Sequence, residues 1–361
     1  MDLNILVLPG DGIGEEVTRE AVRVLGRVAG KWHHNLKLTE GLLGGVAIHR
    51  TGTPFPEETA RLAAEADATL MGAVGLPEFD SAPPEKRPEK GLLAIRQALG
   101  VYANLRPVRA YASQLDSSPL KNHLVEGTDM IIVRELTGGI YYGTPRGITE
   151  NGGETRAVNT MTYTRSEIER VSRMAFHLAR GRRKKVTSVD KSNVLENSQL
   201  WRRVVVEVAK EYPDVALDHL LVDNCAMQLI LNPRRFDIVL TENMFGDILS
   251  DEGAVLAGSI GMLPSASIGG RKPNGVWVGL YEPVHGSAPD IAGQNKANPL
   301  GAIGSVAAML EYSFGLKEEA GAVDRAIEAV LASGKVTADL RPSGAPATTE
   351  QVGNAVCAAI G

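Results

Sequence analysis

Short apolar runs alternate along the chain with stretches in which apolar residues recur every three or four positions. Residues 4–8, 68–74, 130–134, 185–189, 216–222 and 236–240 read as buried strands. Residues 15–28, 91–99, 165–179, 196–210 and 300–314 read as helices with an apolar face. Strands alternating with helices predict an α/β fold with a central mixed, largely parallel sheet, because parallel neighbours need crossover helices. Two segments break the pattern. Residues 138–153, rich in Gly, Tyr, Thr and Pro, predict an extended excursion or hairpin arm, and residues 264–273 predict a Gly/Ser/Pro loop.

The 361 residues, 43% of them hydrophobic, suffice for two domains at roughly 150 residues each. A formal net charge of -5 counts against a nucleic-acid partner, since phosphate binding wants a basic face. The dense basic run Arg180, Arg182, Arg183, Lys184 and Lys185 falls between a helix and a strand and reads as a solvated turn. Cys225 and Cys357 lack metal-ligand spacing and suit a reducing compartment. No stretch is apolar enough to span a bilayer and no signal-peptide pattern is present, so a cytoplasmic protein without a membrane partner is expected.

The glycines of Pro9-Gly10-Asp11-Gly12-Ile13-Gly14 follow a strand and precede a helix. Their spacing is G-x-G-x-G, whereas a dinucleotide fingerprint is G-x-G-x-x-G, so they read as a tight turn and not as a Rossmann site. Arg96, Arg106 and Arg134 stand among apolar neighbours. Singly, each reads as an ion-pair partner; converging, three guanidinium forks would clamp a dicarboxylic acid. Asp247 and Asp251 are four apart, which on a helix places both carboxylates on one face. That pair suits a divalent cation with oxygen ligands, against the alternative of an N-cap and a solvated face. Asp223, at the end of the apolar run 220–222, could join them. Lys191 follows a strand beside Asp190, as a salt-bridge partner or as a general base placed at a strand's carboxyl end. The run His285-Gly286-Ser287-Ala288-Pro289-Asp290 is too polar and turn-rich for a core and could cradle phosphates.

Taken together, LPGDGIG, GLLAIR, ANLRPVR, VRELTGGIYYG, SVDKSNVLE, FGDILSDE, GSIGMLPSAS, EPVHGSAPDIAG and ANP resemble the isocitrate/isopropylmalate family of β-decarboxylating dehydrogenases nearly end to end. The likeness is strongest to its isopropylmalate members. It implies the two-domain fold of that family, which is not a Rossmann fold. Residues 1–101 and 258–361 would form an NAD-binding domain, and residues 102–257 a domain for dimerisation, the arm, the metal and catalysis. The implied reaction is oxidation and decarboxylation of 3-isopropylmalate to 4-methyl-2-oxopentanoate with reduction of NAD, in leucine biosynthesis. A related D-malate, tartrate, homoisocitrate or isocitrate dehydrogenase, or a catalytically silent regulatory subunit, are the alternatives.

Carried over by position, the resemblance makes Tyr141 and Lys191 the acid/base pair and gives the malate carboxylates to Arg96, Arg106 and Arg134. Asp223, Asp247 and Asp251 would ligate Mg²⁺ or Mn²⁺, with Asp223 also beside the substrate. NAD would be contacted by Ile13, Glu282, His285, Gly286, Ser287, Ala288, Pro289, Asp290, Asn298 and Asp339. A homodimer with shared active sites is implied, Lys191 and Asp223 reaching across from the partner. Glu89, Leu92, Leu93 and Val194 would face the isopropyl group. Burying that group on the apolar side chains is worth a few kcal/mol at about 0.8 kcal/mol per carbon, and Glu89 would repel the extra carboxylate of a tricarboxylate. The chain departs from the family's usual pattern at Leu76 and Leu221.

Overall fold

The apolar run at 5–8 is the centre of a strand and is buried at every position, as a parallel strand covered on both faces requires. The computed structural model describes Met1–Gly361. Its strands are β1 (Asp2–Gly10), β2 (Asn35–Glu40), β3 (Ala68–Ala73), β4 (Ala103–Arg109), β5 (Asp129–Glu135), β6 (Gly147–Asn151), β7 (Glu154–Val158), β8 (Lys185–Asp190), β9 (Ala216–Leu221), β10 (Ile238–Thr241), β11 (Pro264–Arg271) and β12 (Trp277–Pro283). Its helices are α1 (Gly14–Lys31), α2 (Gly45–Thr51), α3 (Glu57–Glu65), α4 (Pro88–Leu99), α5 (Asn122–Val125), α6 (Arg165–Arg180), α7 (Glu196–Ala209), α8 (Val222–Leu231), α9 (Asn243–Leu256), α10 (Leu300–Tyr312), α11 (Lys317–Ala332) and α12 (Thr349–Ile360). None is long and apolar enough to cross a membrane.

The chain divides into two compact units. The first comprises residues 1–101, 110–119 and 257–361. Its strands run in the order β2-β1-β3-β12-β11, all parallel except β11, which pairs antiparallel with β12. Leu6 and Leu8 of β1, Met71 of β3 and Leu280 of β12 form a core cluster with Leu43, Ala63 and Ile95, and Phe55, Leu62 and Leu92 pack against it. Residues 110–119, expected with the second domain, lie here because Gln114 donates to the Leu331 carbonyl (3.0 Å) and Ser117 to the Leu340 carbonyl (2.8 Å). The second unit comprises residues 102–109 and 120–256, with strand order β4-β5-β10-β8-β9. There β4 is antiparallel to β5 and the rest are parallel. Helices α6 and α7 pack together, as do α8 and α9. Both units are therefore α/β and mostly parallel, as the alternation predicts.

Three local expectations are corrected. Residues 264–271 form β11, not a loop. The small residues that look loop-like are buried under α10, where a Cβ on Gly301 would stand 3.0 Å from the Leu263 carbonyl oxygen. Asp223 does not end a strand: β9 stops at Leu221 and Asp223 opens α8, a boundary that a short apolar run cannot reveal. The basic run is not merely solvated. Arg180 pairs with Asp214 (2.7 Å), and Arg182 pairs with Asp129 (2.8 Å) and with Asp237 (2.9 Å), a buried carboxylate that needs a countercharge. The expected arm is an antiparallel hairpin, β6 with β7, turning at Gly152 and Gly153, both with positive φ. Every side chain of the hairpin but Val158 is exposed.

Candidate active site

In the second unit, β10 ends at Thr241 and α9 begins at Asn243. Glu242 starts the helix by accepting from the Met244 and Phe245 N–H groups (3.1 and 3.0 Å), donors the helix itself leaves unpaired. One turn further stand Asp247 and, four residues on, Asp251. Arg134, at the end of β5, ion-pairs with Asp247, and Tyr141 Oη donates to its other oxygen at 3.0 Å. Arg106 of β4 reaches Asp247 at 3.5 Å and Asp251 at 3.4 Å. Gly246 lets this happen: a Cβ there would fall 2.7 Å from the Arg134 side chain. Two carboxylates, two guanidiniums and a phenol are thus gathered on one face of α9. Partial burial pushes the Asp251 carboxyl up, Arg106 pulls it down, and Asp247 adds to the push. Burial, then the neighbouring Asp247, raises the Tyr141 phenol, which keeps it a proton donor at neutral pH.

Lys191 follows β8, its N–H donating to Ser198 Oγ (3.1 Å). Its Nζ lies 2.6 Å from Asp223 Oδ1, and the Lys191 hydrogen bond holds the Asp223 carboxyl below the ordinary carboxylate range. Within the chain Asp223 is not brought to Asp247 and Asp251, and no group of three metal-ligating side chains forms. The Asp223 side chain is 64% exposed, and Val194, expected against the substrate, is 60% exposed.

In the first unit, Arg96 and Glu282 form a buried ion pair at 2.8 Å, and Arg96 Nε is buried without a partner. Leu92 packs on the core cluster, Leu93 is half-buried and Glu89 is exposed. The Gly10–Gly14 turn packs directly on the 285–290 segment. Ile13 N–H donates to the Ser287 carbonyl (2.8 Å), and a Cβ on Gly12 would collide with that oxygen at 2.1 Å. The turn's glycines serve close backbone packing, as their spacing suggests. His285 Nδ1 hydrogen-bonds the Gly286 carbonyl (2.9 Å), while Nε2 is buried with no partner. Burial pushes the His285 pKa down, so the ring is neutral at pH 7. Asp339 accepts from Ser259 Oγ (2.5 Å), Asn298 Nδ2 (2.9 Å) and Thr337 Oγ1 (2.5 Å). Gly286, Pro289 and Asp290 are exposed.

A sequence model of the isocitrate/isopropylmalate dehydrogenase family matches residues 4–356. The chain belongs to this family. It is 61% identical to the 3-isopropylmalate dehydrogenase of Geobacillus kaustophilus over 94% of this chain and 90% of that one. It is 55% identical to that of Shouchella clausii over 100% and 98%. Among solved structures, isocitrate dehydrogenase from Methylococcus capsulatus superposes with a TM-score of 0.87 at 34% identity, covering 99% of each chain. A β-decarboxylating dehydrogenase from Thermococcus kodakarensis gives 0.80 at 35%, covering 99% of this chain and 96% of that one. The family implies a nucleotide cofactor and a divalent metal. The residues present fit both. Two carboxylate side chains share a face of α9, the donor type that divalent cations with oxygen ligands take. The orphaned His285 Nε2 is an acceptor awaiting a donor beside a segment rich in backbone N–H groups.

Sequence reasoning missed the residues that hold these groups in place. Asn104 and Ser250 accept from Arg106 (3.0 and 2.5 Å), and Asn243 accepts from Arg134. For Asn104 and Asn243 the signal was a polar residue inside or beside an apolar strand, and for Ser250 a small polar residue within the apolar stretch of α9. Asp11 is the clearest case. It is 3% exposed and accepts from the N–H groups of Gly45, Val46 and Gly75, each at 2.8 Å, fixing the start of α2 and the loop after β3 to the turn after β1. Asp11→Ala is expected to cost about 2–4 kcal/mol of stability, since an unpaired buried N–H costs roughly 1–3 kcal/mol. Urea unfolding measures it; an unchanged midpoint would mean the loops are held by something else.

Proposed function

We propose that the chain oxidises and decarboxylates 3-isopropylmalate to 4-methyl-2-oxopentanoate with reduction of NAD⁺, in leucine biosynthesis. Identity of 54–61% to the 3-isopropylmalate dehydrogenases over nearly the whole chain supports the substrate. The observation that carries the chemistry is the gathering of Arg106, Arg134 and Tyr141 around Asp247 and Asp251.

Mg²⁺ or Mn²⁺ would be held by Asp247 and Asp251 with Asp223 of the partner subunit, and NAD⁺ by Ile13, Glu282, the 285–290 segment, Asn298 and Asp339. When bound, the metal would supply Lewis-acid polarisation of the C2 hydroxyl, and the nicotinamide would supply the two-electron acceptor for the oxidation at C2. Arg106 and Arg134 receive the malate carboxylates as charge-assisted forks, and the orphaned Arg96 Nε has a donor to give. Lys191 takes the hydroxyl proton. Once the β-carboxyl leaves as CO₂, Tyr141 gives its phenolic proton to C3. Glu89, Leu92, Leu93 and Val194 select the isopropyl side chain.

A homodimer is part of this reading. Met227 and Leu231 on α8 and Ile248 and Val255 on α9 are exposed apolar side chains on two packed helices, which suits a self-complementary interface. The two free cysteines suit a cytoplasmic location.

The deciding experiment is NADH formation with Mg²⁺ on 3-isopropylmalate, D-malate and isocitrate side by side. Preference for 3-isopropylmalate, lost on chelation, is expected. Preference for another acid keeps the mechanism and overturns the substrate assignment. Asp290→Ala is expected to weaken NAD⁺ by about 1.5–3 kcal/mol, the worth of a charged hydrogen bond to the ribose. Calorimetry reads this, and unchanged affinity would remove Asp290 from the cofactor site.

A further inference from the structure

We propose that Asn243, backed by Tyr163 and Glu242, is a positioning element that locks Arg134 and the turn carrying Tyr141 into one geometry. The proposal rests on the function proposed above and concerns residues outside its assigned set.

The Asn243 side chain is 1% exposed and bridges two segments. Its Oδ1 accepts from Arg134 Nε (2.9 Å) and Nη2 (2.7 Å), and its Nδ2 donates to the Gly138 carbonyl (3.0 Å). Only one amide orientation permits this, because a flipped amide would set NH₂ against a guanidinium and oxygen against a carbonyl. The Asn243 N–H donates to Tyr163 Oη (2.9 Å), whose hydroxyl donates in turn to Glu242 Oε2 (2.7 Å). Glu242 is itself tied to the first turn of α9. The side chain that grips Arg134 is therefore anchored to the helix that presents Asp247.

The same tyrosine is the bed of the turn. Gly138 and Gly139 lie flat on its ring: a Cβ on Gly139 would fall 2.1 Å from Tyr163 Oη, and one on Gly138 2.8 Å from the ring. Gly139 also has φ +78°, which a side chain would strain. The turn is pinned from the other side by Glu135 Oε2, which accepts from the Thr137 and Gly138 N–H groups (3.0 and 2.8 Å). Tyr141 follows two residues later and reaches Asp247.

A neutral amide is the right chemistry here. It fixes two guanidinium N–H groups without cancelling the charge that a substrate carboxylate needs. An aspartate would pair with Arg134 and repel the Gly138 carbonyl.

The test is steady-state kinetics of Asn243→Ala and Tyr163→Phe beside the wild type, with NADH affinity as the control for folding. Asn243→Ala is expected to raise KM for 3-isopropylmalate about 10-fold and lower kcat about 10–100-fold, the penalty of a displacement near 1 Å, with NADH affinity unchanged. Tyr163→Phe keeps the ring under the turn and loses only the hydroxyl, so a smaller change in the same two constants is expected. It also serves if Asn243→Ala fails to fold. A merely structural role would lower kcat with the folded fraction and leave KM alone; that result, or both constants within about twofold of wild type for a folded variant, overturns the proposal. Wild-type turnover tests the substrate assignment separately. If another malate-type acid is preferred, the variant-to-wild-type ratios are read on that acid. If none turns over, the calorimetric affinity for 3-isopropylmalate carries the comparison, with about 10-fold weakening in Asn243→Ala expected and equal affinity overturning it.

Discussion

Lys191→Ala is expected to lower kcat about 10³-fold while NADH still binds, the loss typical of removing a positioned general base. The residue sits at the carboxyl end of β8, where an α/β unit presents its chemical groups, and its backbone is tied to Ser198. Its Nζ pairs with Asp223, at 2.6 Å. Removing the side chain takes away the hydrogen bond that holds the Asp223 carboxyl down, so that carboxyl returns towards its ordinary range. At pH 7 it stays ionised, and the loss of rate is then a loss of the base and not of a ligand's charge. The residues proposed to hold the cofactor all lie in the first unit and Lys191 in the second, so NADH affinity is the control. Added methylamine should restore part of the rate by supplying the missing amine. Near-normal turnover without it would remove Lys191 from the chemistry.

Much of the fold was legible because buried parallel strands are continuous apolar runs and their crossover helices are amphipathic. What failed did so for physical reasons. Residues 264–271 carry Ser and Gly because a helix lies close over them, and close packing has the same composition as a turn. The start of α8 was hidden because Leu221 and Val222 continue an apolar run across a strand–helix boundary. In the site, the charged residues stood out because charge among apolar neighbours needs a reason. The neutral hydrogen-bonding residues did not. Asn243 and Tyr163 act through contacts 109 and 80 residues away in sequence, which no local pattern encodes. Asp11 was visible in the glycine turn, yet its three backbone partners come from the start of α2 and the loop after β3.

Heterodimers made of one Lys191→Ala chain and one Asp247→Ala chain, isolated by two different tags, are expected to regain about half of the wild-type turnover although either homodimer is inactive. The reasoning follows from two-fold symmetry. If Lys191 and Asp223 serve the Asp247–Asp251 pair of the other subunit, one of the two sites combines an intact Asp247 with an intact Lys191, and the second site carries both defects. In the structure, Lys191 and Asp223 form one pair and Asp247, Asp251, Arg106, Arg134 and Tyr141 form a separate cluster. The apolar side chains exposed on α8 and α9 belong to the helices that bear Asp223 and Asp247, so a two-fold contact there would carry each group to the other subunit. The control is a heterodimer of Lys191→Ala with Asp223→Ala. Those two residues would serve the same site from the same chain, so each site of that heterodimer lacks one of them and no activity should return. Activity in the first pairing and none in the second would fix which residues travel together. An inactive first heterodimer would mean that Lys191 serves the carboxylates of its own chain, and Leu231→Asp would then split the dimer without abolishing the chemistry.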